Sequence, residues 1–173
     1  MHDGSILAID PSSTCSGYAW GYPFALGAQV YFAGRHQPKK RAKAADRIQL
    51  MCDFFANFIQ EHEPSQIVIE APSGKIHGRF SKTKMSALAI YGMAVGAIWA
   101  TCRYCRPSLD VPTHLINANE WTAGKNKDAR RIRAKALLST YSKTQDPGGD
   151  TSDAICLLDW FCRDRELARL KKA

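Results

Sequence analysis

Four acidic residues occupy positions where they could do chemistry together: Asp10, Glu70, Asp150 and Asp153. Asp10 ends the apolar run Ile6-Leu7-Ala8-Ile9, and Glu70 ends Ile67-Val68-Ile69. Short apolar runs of this kind read as buried strands. A carboxylate at the exit of such a strand gains little from packing. Asp150 and Asp153 lie three apart, a spacing that puts both on one face of a helix. Gathering four such groups is costly. Two carboxylates about 6 Å apart repel by about 3 kcal/mol at an effective dielectric of about 20, whereas a place in a first helical turn returns only about 0.3–1 kcal/mol. A bound divalent cation removes the conflict. Oxygen-only ligands favour Mg2+, with Mn2+ as its substitute, over zinc. Two ions about 3.5–4 Å apart would activate a water and polarise a scissile phosphate, the chemistry of phosphodiester hydrolysis.

Each acid also has an ordinary use. Asp10 precedes Pro11 and could serve a turn, Asp150 could cap the last helix, and Asp153 could be a plain first-turn acid. Glu70 is hardest to explain this way, because an acid directly after Ile-Val-Ile lies partly buried. The case for a shared site rests on the four together.

The elements that would bring them together follow from the apolar patterning. Residues 5–10 read as a central strand, Cys15–Tyr22 as a returning strand and Gln29–Ala33 as a third, giving an antiparallel meander. From Ala44, the residues Ile48, Met51, Cys52, Phe55, Phe58 and Ile59 recur on one helical face, and that helix stops near Glu63-Pro64. Gln66–Ala71 is a strand, residues 75–84 a basic loop, and residues 85–102 an apolar helix in which Gly92 and Gly96 would admit a close backbone neighbour. His114–Asn117 is a short last strand. Residues 127–141 form a helix with Ile132, Ala136 and Leu137 as its inner stripe. A final helix runs from about Asp150 to Leu170. The order β-β-β-α-β-α-β-α-α predicts a single α/β domain over residues 1–173, with a mixed five-stranded sheet (a three-strand meander plus parallel strands) and helices on both faces. If the first and fourth strands are adjacent and parallel, Asp10 and Glu70 emerge at one carboxyl edge, where sites of open α/β sheets sit.

The rest of the composition constrains partner and compartment. The chain of 173 residues carries 24 Lys and Arg against 16 Asp and Glu, a net +8. Acidic candidate ligands inside a basic chain favour a polyanionic partner, nucleic acid first. Six cysteines follow a start with no signal peptide, so reduced thiols in a cytoplasmic setting are expected. Cys102-x-x-Cys105 is half a zinc pattern without its second half, and small, partly buried thiols near a helix end are the preferred reading. Met85–Cys102 has no charged residue, but it is rich in Ala and Gly and reads as a core helix, since a membrane span needs about 20 strongly apolar residues.

With these residues assembled, the chain resembles the RuvC-type Holliday junction resolvases. Ile6-Leu7-Ala8-Ile9-Asp10-Pro11-Ser12, followed by Ser16-Gly17-Tyr18, is similar to their opening motif. Ile67-Val68-Ile69-Glu70 resembles their second acidic motif, and Asp150-Thr151-Ser152-Asp153-Ala154 their closing Asp-x-x-Asp-Ala. The resemblance spans nearly the whole chain. It implies a ribonuclease H-like fold, a homodimer, and Mg2+-dependent nicking of four-way DNA junctions, with branched DNA as the partner. Asp10, Glu70, Asp150 and Asp153 would be the catalytic metal ligands, and the helix over residues 85–102 would lie at the dimer interface. Ser12 stands where the family has Gly, and Ser16 where it has Thr. The loop after Glu70 also departs from bacterial members, which suggests a phage or mobile-element branch.

The candidate DNA contacts are Lys75, His77, Arg79, Lys82 and Lys84, with Phe80 free to stack on unpaired bases or to anchor the core. A second group is Lys125, Lys127, Arg130 and Arg131, followed by Arg133 and Lys135 on the same helix. Three other readings compete: a YqgF-like RNA-processing nuclease, a non-catalytic nucleic-acid-binding protein of the same fold, and a fragment of an actin-like ATPase. The spacing between motifs and the Asp-x-x-Asp-Ala ending favour the resolvase over the first. Four intact acids argue against the second. The third needs two lobes, which 173 residues do not hold.

Overall fold

Alternation along two apolar strands sets the architecture. The computed structural model describes residues 4–39, 41–72, 82–106, 110–122 and 124–170. In chain order its elements are β1 (Ile6–Asp10), β2 (Ser16–Phe24), β3 (Gly27–His36), α1 (Ala44–His62), β4 (Gln66–Ala71), α2 (Lys82–Tyr104), β5 (Thr113–Asn117), α3 (Ala118–Thr122), α4 (Lys127–Leu137) and α5 (Asp150–Leu170). The strands form one sheet in the order β3-β2-β1-β4-β5. β1 pairs antiparallel with β2 and parallel with β4, and β4 pairs parallel with β5.

Successive strand residues point to opposite faces, and both faces are covered. Leu7, Ile9, Ile67 and Ile69 pack with Met51, Phe55 and Ile59 of α1 and with Ala94 and Ile98 of α2. Ile6, Ala8 and Val68 pack on the other face with Ala154, Ile155, Leu157 and Leu158 of α5. The same alternation puts Asp10 and Glu70 on the α5 face, each two residues beyond a buried member of that set. The six apolar residues expected to face inward from α1 are its buried residues.

Several boundaries differ from the sequence reading. β2 and β3 are longer, because Pro23 does not stop β2. At Pro23 the strand has outrun β1, whose pairing ends at Ile6 opposite Gly21, so the missing N–H leaves no gap in a central ladder. The hairpin closes through Ala25-Leu26, with Ala25 in the left-handed region at φ 49°. α2 starts at Lys82, so Lys82 and Lys84 belong to its first turn and not to a loop. α4 ends at Leu137. Its Ile132 is 73% exposed and Ala136 is also exposed, because Arg130 and Ala134 are the positions that turn toward α5. The short helix α3 has no counterpart in the sequence reading. Among the described residues, no atom lies within 4 Å of a Cβ built on Gly92 or Gly96, so none of their backbone uses the space these glycines leave. All six cysteines are free, and the Cys105 thiol donates to the Cys102 carbonyl.

The first turn does not call for a glycine at Ser12. Positive φ among the described non-glycine residues occurs at Ala25, Glu63 and Asp110 and not at Ser12. Ser16 completes the turn: its Oγ accepts from the Ser12 N–H at 3.0 Å and donates to the Ser12 carbonyl at 3.1 Å.

Gly17 joins α5 to the sheet. It pairs with Asp10 across β1 and β2, and a Cβ built on it would lie 1.9 Å from the backbone oxygen of Asp150. Backbone on both sides leaves nothing flexible to give way. Gly17→Ala should therefore lower the free energy of unfolding by about 2 kcal/mol or more in urea titrations. A loss below about 0.5 kcal/mol would show that α5 is not pinned to β2 at this point.

Candidate active site

Three short links bring the four acids together. Ile9 pairs with Ile69 in parallel register, so Asp10 and Glu70 leave adjacent strands side by side. Asp10 pairs with Gly17, and Gly17 lies against the backbone of Asp150. One helical turn then carries Asp153 over the same edge.

Their charges act on one another. Burial raises the Asp10 carboxyl well above the usual carboxylate range, and the charges of Glu70, Asp153 and Asp150 raise it further. Glu70 is pushed up to about 7, by burial first and then by Asp153. Asp153 is also raised by burial, although Arg130 opposes the shift. Asp10 thus lies in the field of the other three acids.

The carboxylates do not form a ready-made cage. Among the described residues, no three Asp, Glu, His or Cys side chains are disposed to hold a metal ion as they stand. Two of the four are turned to other partners. Glu70 Oε2 accepts from the Trp121 indole Nε1 at 2.9 Å. Asp153 takes a two-pronged ion pair from Arg130, Nε to Oδ1 at 2.6 Å and a terminal nitrogen to Oδ2 at 3.3 Å. Lys127 Nζ stands 3.9 Å from Asp153 Oδ2, and its charge also opposes the upward shifts of Asp10 and Glu70. The donor set is all oxygen and suits a hard dication; such an ion would compete with Arg130 for Asp153.

A different acid does the capping that Asp150 could have done. Asp146, 2% exposed, accepts from the N–H groups of Thr151 and Ser152 at 3.2 and 3.0 Å and from the Tyr141 hydroxyl at 3.0 Å. The first turn of α5 is thereby held without using Asp150 or Asp153. Other neighbours escaped the sequence reading. The Cys15 thiol is pushed up to about 12, chiefly by burial and then by Asp150. The Tyr91 hydroxyl on α2 is also raised by burial, and then by the charges of Glu70 and Asp10.

The expected DNA contacts divide into two groups. Lys75, His77, Arg79 and Phe80 lie outside the described residues, as do the side chains of Lys82 and Lys84. Lys125 and Lys127 are exposed beside the site. Arg130 and Arg131 are largely committed inside the molecule. Arg130 binds Asp153 and the Lys125 carbonyl, while Arg131 donates to the Pro147 carbonyl at 2.7 Å and stands 3.5 Å from Asp128. Arg133 is taken by the fully buried Asp159, which Arg163 also pairs.

The raised Glu70 carboxyl gives a pH dependence whose sign can be worked out. The folded protein binds this proton more tightly than the unfolded chain, whose Glu titrates near its ordinary 4.5. Stability contributed by Glu70 is therefore lost as pH rises from about 4.5 through about 7. In metal-free buffer at pH 8, Glu70→Gln should be more stable than the parent by about 1–3 kcal/mol, and the gap should close toward pH 4.5. Denaturant melts at the two pH values check this. A variant no more stable than the parent at pH 8 would remove the claim that burial and Asp153 make charge on Glu70 unfavourable.

No protein-family model matches the sequence, and no curated protein matches it. Solved structures do match. Thermus thermophilus RuvC in complex with a Holliday junction substrate aligns with a TM-score of 0.66 at 14% identity, covering 97% of this chain and 96% of that one. A second Thermus thermophilus RuvC structure aligns at 0.63 and 13% identity, covering 96% of each chain. The yeast mitochondrial Holliday junction resolvase Ydc2 aligns at 0.58 and 11% identity, covering 96% of this chain and 80% of that one. The α/β architecture with its mixed five-stranded sheet is thus the ribonuclease H-like fold of the RuvC-type Holliday junction resolvases.

Proposed function

We propose that this protein is a divalent-metal-dependent endonuclease that resolves four-way DNA junctions by paired, symmetric nicks. The observation that carries the reading is the convergence of four acids on one sheet edge: parallel pairing of β1 with β4 sets Asp10 beside Glu70, and Gly17, opposite Asp10, packs against the backbone of Asp150 at the start of the helix that carries Asp153. The net +8 of the chain supports a polyanionic substrate, and the junction-bound RuvC of the same fold supports a branched one.

In this reading Asp10, Glu70, Asp150 and Asp153 hold two Mg2+ ions, for which Mn2+ can substitute. Bound there, the ions supply an acidified water and positive charge for the phosphate oxygens. The chain's own residues do the positioning. Parallel pairing of β1 with β4 sets Asp10 beside Glu70, and the Asp146 cap holds the turn that presents Asp150 and Asp153. Lys127, with its side chain 45% exposed, offers a cation to a phosphate at the mouth of the site.

Two symmetric nicks need two sites related by a twofold axis. The exposed face of α2 that carries Ala89, Gly92, Met93 and Gly96 is the surface we assign to a homodimer. Among the described residues no helix is long and apolar enough to cross a membrane.

The test is incubation of the parent and Asp10→Asn with a mobile four-way junction, a linear duplex and an RNA–DNA hybrid, in Mg2+ or EDTA. The parent should nick the junction in Mg2+ only. Partners of metal ligands are themselves worth about 10–100-fold, so the loss of a ligand should cost more than about 100-fold. Junction binding in EDTA should change less than about twofold, since it rests on phosphate contacts. Sedimentation should give a dimer. Preferred cleavage of the hybrid would replace the substrate assignment, normal nicking by the variant would remove Asp10 from the site, and a monomer at all concentrations would end the paired mechanism.

A further inference from the structure

We infer that Trp121 is a positioning residue for the carboxylate site, holding Glu70 through its indole N–H and Asp153 through Arg130, which sits over its ring. The inference rests on the metal-nuclease reading and extends it to a residue that touches neither metal nor DNA.

Trp121 belongs to α3 and is 4% exposed. It packs in the core layer that includes Ala134, Ala154 and Ile155. A buried indole has one polar atom, and that atom needs an acceptor. Here the acceptor is Glu70 Oε2, a candidate metal ligand 51 positions away in the chain, at 2.9 Å. The bond lowers the cost of charge on Glu70 and sets the rotation of its carboxylate. On its other side, the ring carries the Arg130 guanidinium, whose Cζ lies 5.6 Å from the ring centroid. Arg130 is tethered by the Lys125 carbonyl at 2.6 Å and grips both oxygens of Asp153. One side chain in a five-residue helix thus ties the β4 acid to the α5 acid. A residue that only fills the core would not need its nitrogen aimed at a carboxylate.

Two substitutions separate these roles. Trp121→Phe keeps a buried ring and a face for Arg130 but loses the donor. Trp121→His fills the core less well. However, its Nε2 occupies the same place in a five-membered ring as the indole Nε1, so the donor is retained. Mn2+ binding to the DNA-free protein is measured by titration calorimetry, alongside the Mg2+ concentration for half-maximal junction nicking, junction affinity in EDTA and thermal melting. In Trp121→Phe, the Mn2+ Kd and the half-saturating Mg2+ should both rise about tenfold or more, with junction affinity within about twofold of the parent. Trp121→His should bind Mn2+ more tightly than Trp121→Phe.

The reverse order, parental Mn2+ affinity in Trp121→Phe, or loss of a cooperative melt in both variants would assign Trp121 to the core alone and overturn the proposal. A parent that binds Mn2+ with the expected order of variants but does not nick junctions would leave the positioning role standing and remove the substrate assignment. A parent that binds no Mn2+ would overturn both.

Discussion

The gathering of Asp10, Glu70, Asp150 and Asp153 at one largely buried sheet edge is the constraint on which the rest of the structure depends. At the end of its most buried strands, burial first and then neighbouring charge raise the proton affinity of Asp10, through Glu70, Asp153 and Asp150, and of Glu70, through Asp153. That arrangement costs stability, and the surrounding structure offsets the cost in two ways. The sheet is apolar on both faces, so β1 and β4 keep their register independently of the charges at their ends. Cations and donors are distributed among the acids: Arg130 and Lys127 on Asp153, and Trp121 on Glu70. Strain kept at a site and balanced elsewhere is a common sign of function.

The basic character of the chain looks different at close range. Lysines and arginines that the composition suggests are free for phosphate are partly used to hold the molecule together. Arg133 and Arg163 neutralise the buried Asp159, Arg131 holds the loop before α5, and Arg130 holds Asp153. α4 therefore works in two directions. Its Arg130–Ala134 side joins the site to α5, and Lys127 faces outward at the mouth. Lys127 is thus an exposed cation already coupled to the carboxylates.

Much of this was legible in the sequence, for identifiable reasons. Ile6–Ile9 and Ile67–Ile69 are short apolar runs that admit few readings, so the acids that end them could be located. The 3.6-residue recurrence from Ile48 to Ile59 gave the buried face of α1 residue by residue. Reading failed where the deciding partner was distant in the chain. The end of β2, read at Tyr22, lies further on because β1, its partner, stops before Pro23 and leaves that position free of a central ladder. Ile132 looked buried because hydrophobicity alone does not reveal that Arg130 and Ala134 face α5. Trp121 and Tyr91 carried no local signal: Trp121 matters through its bond to Glu70, and Tyr91 lies in the field of Glu70 and Asp10, neighbours that only the folded chain supplies. Asp146, four residues before Asp150, could have been noticed as a candidate cap.

The central claim is that these four carboxylates form one binding place for divalent metal. Anomalous diffraction from crystals soaked in Mn2+ tests it most directly. The account predicts anomalous peaks among Asp10, Glu70, Asp150 and Asp153, with Asp153 released from at least one of its bonds to Arg130. Peaks confined to other parts of the surface, with the Arg130–Asp153 pair intact, would contradict it.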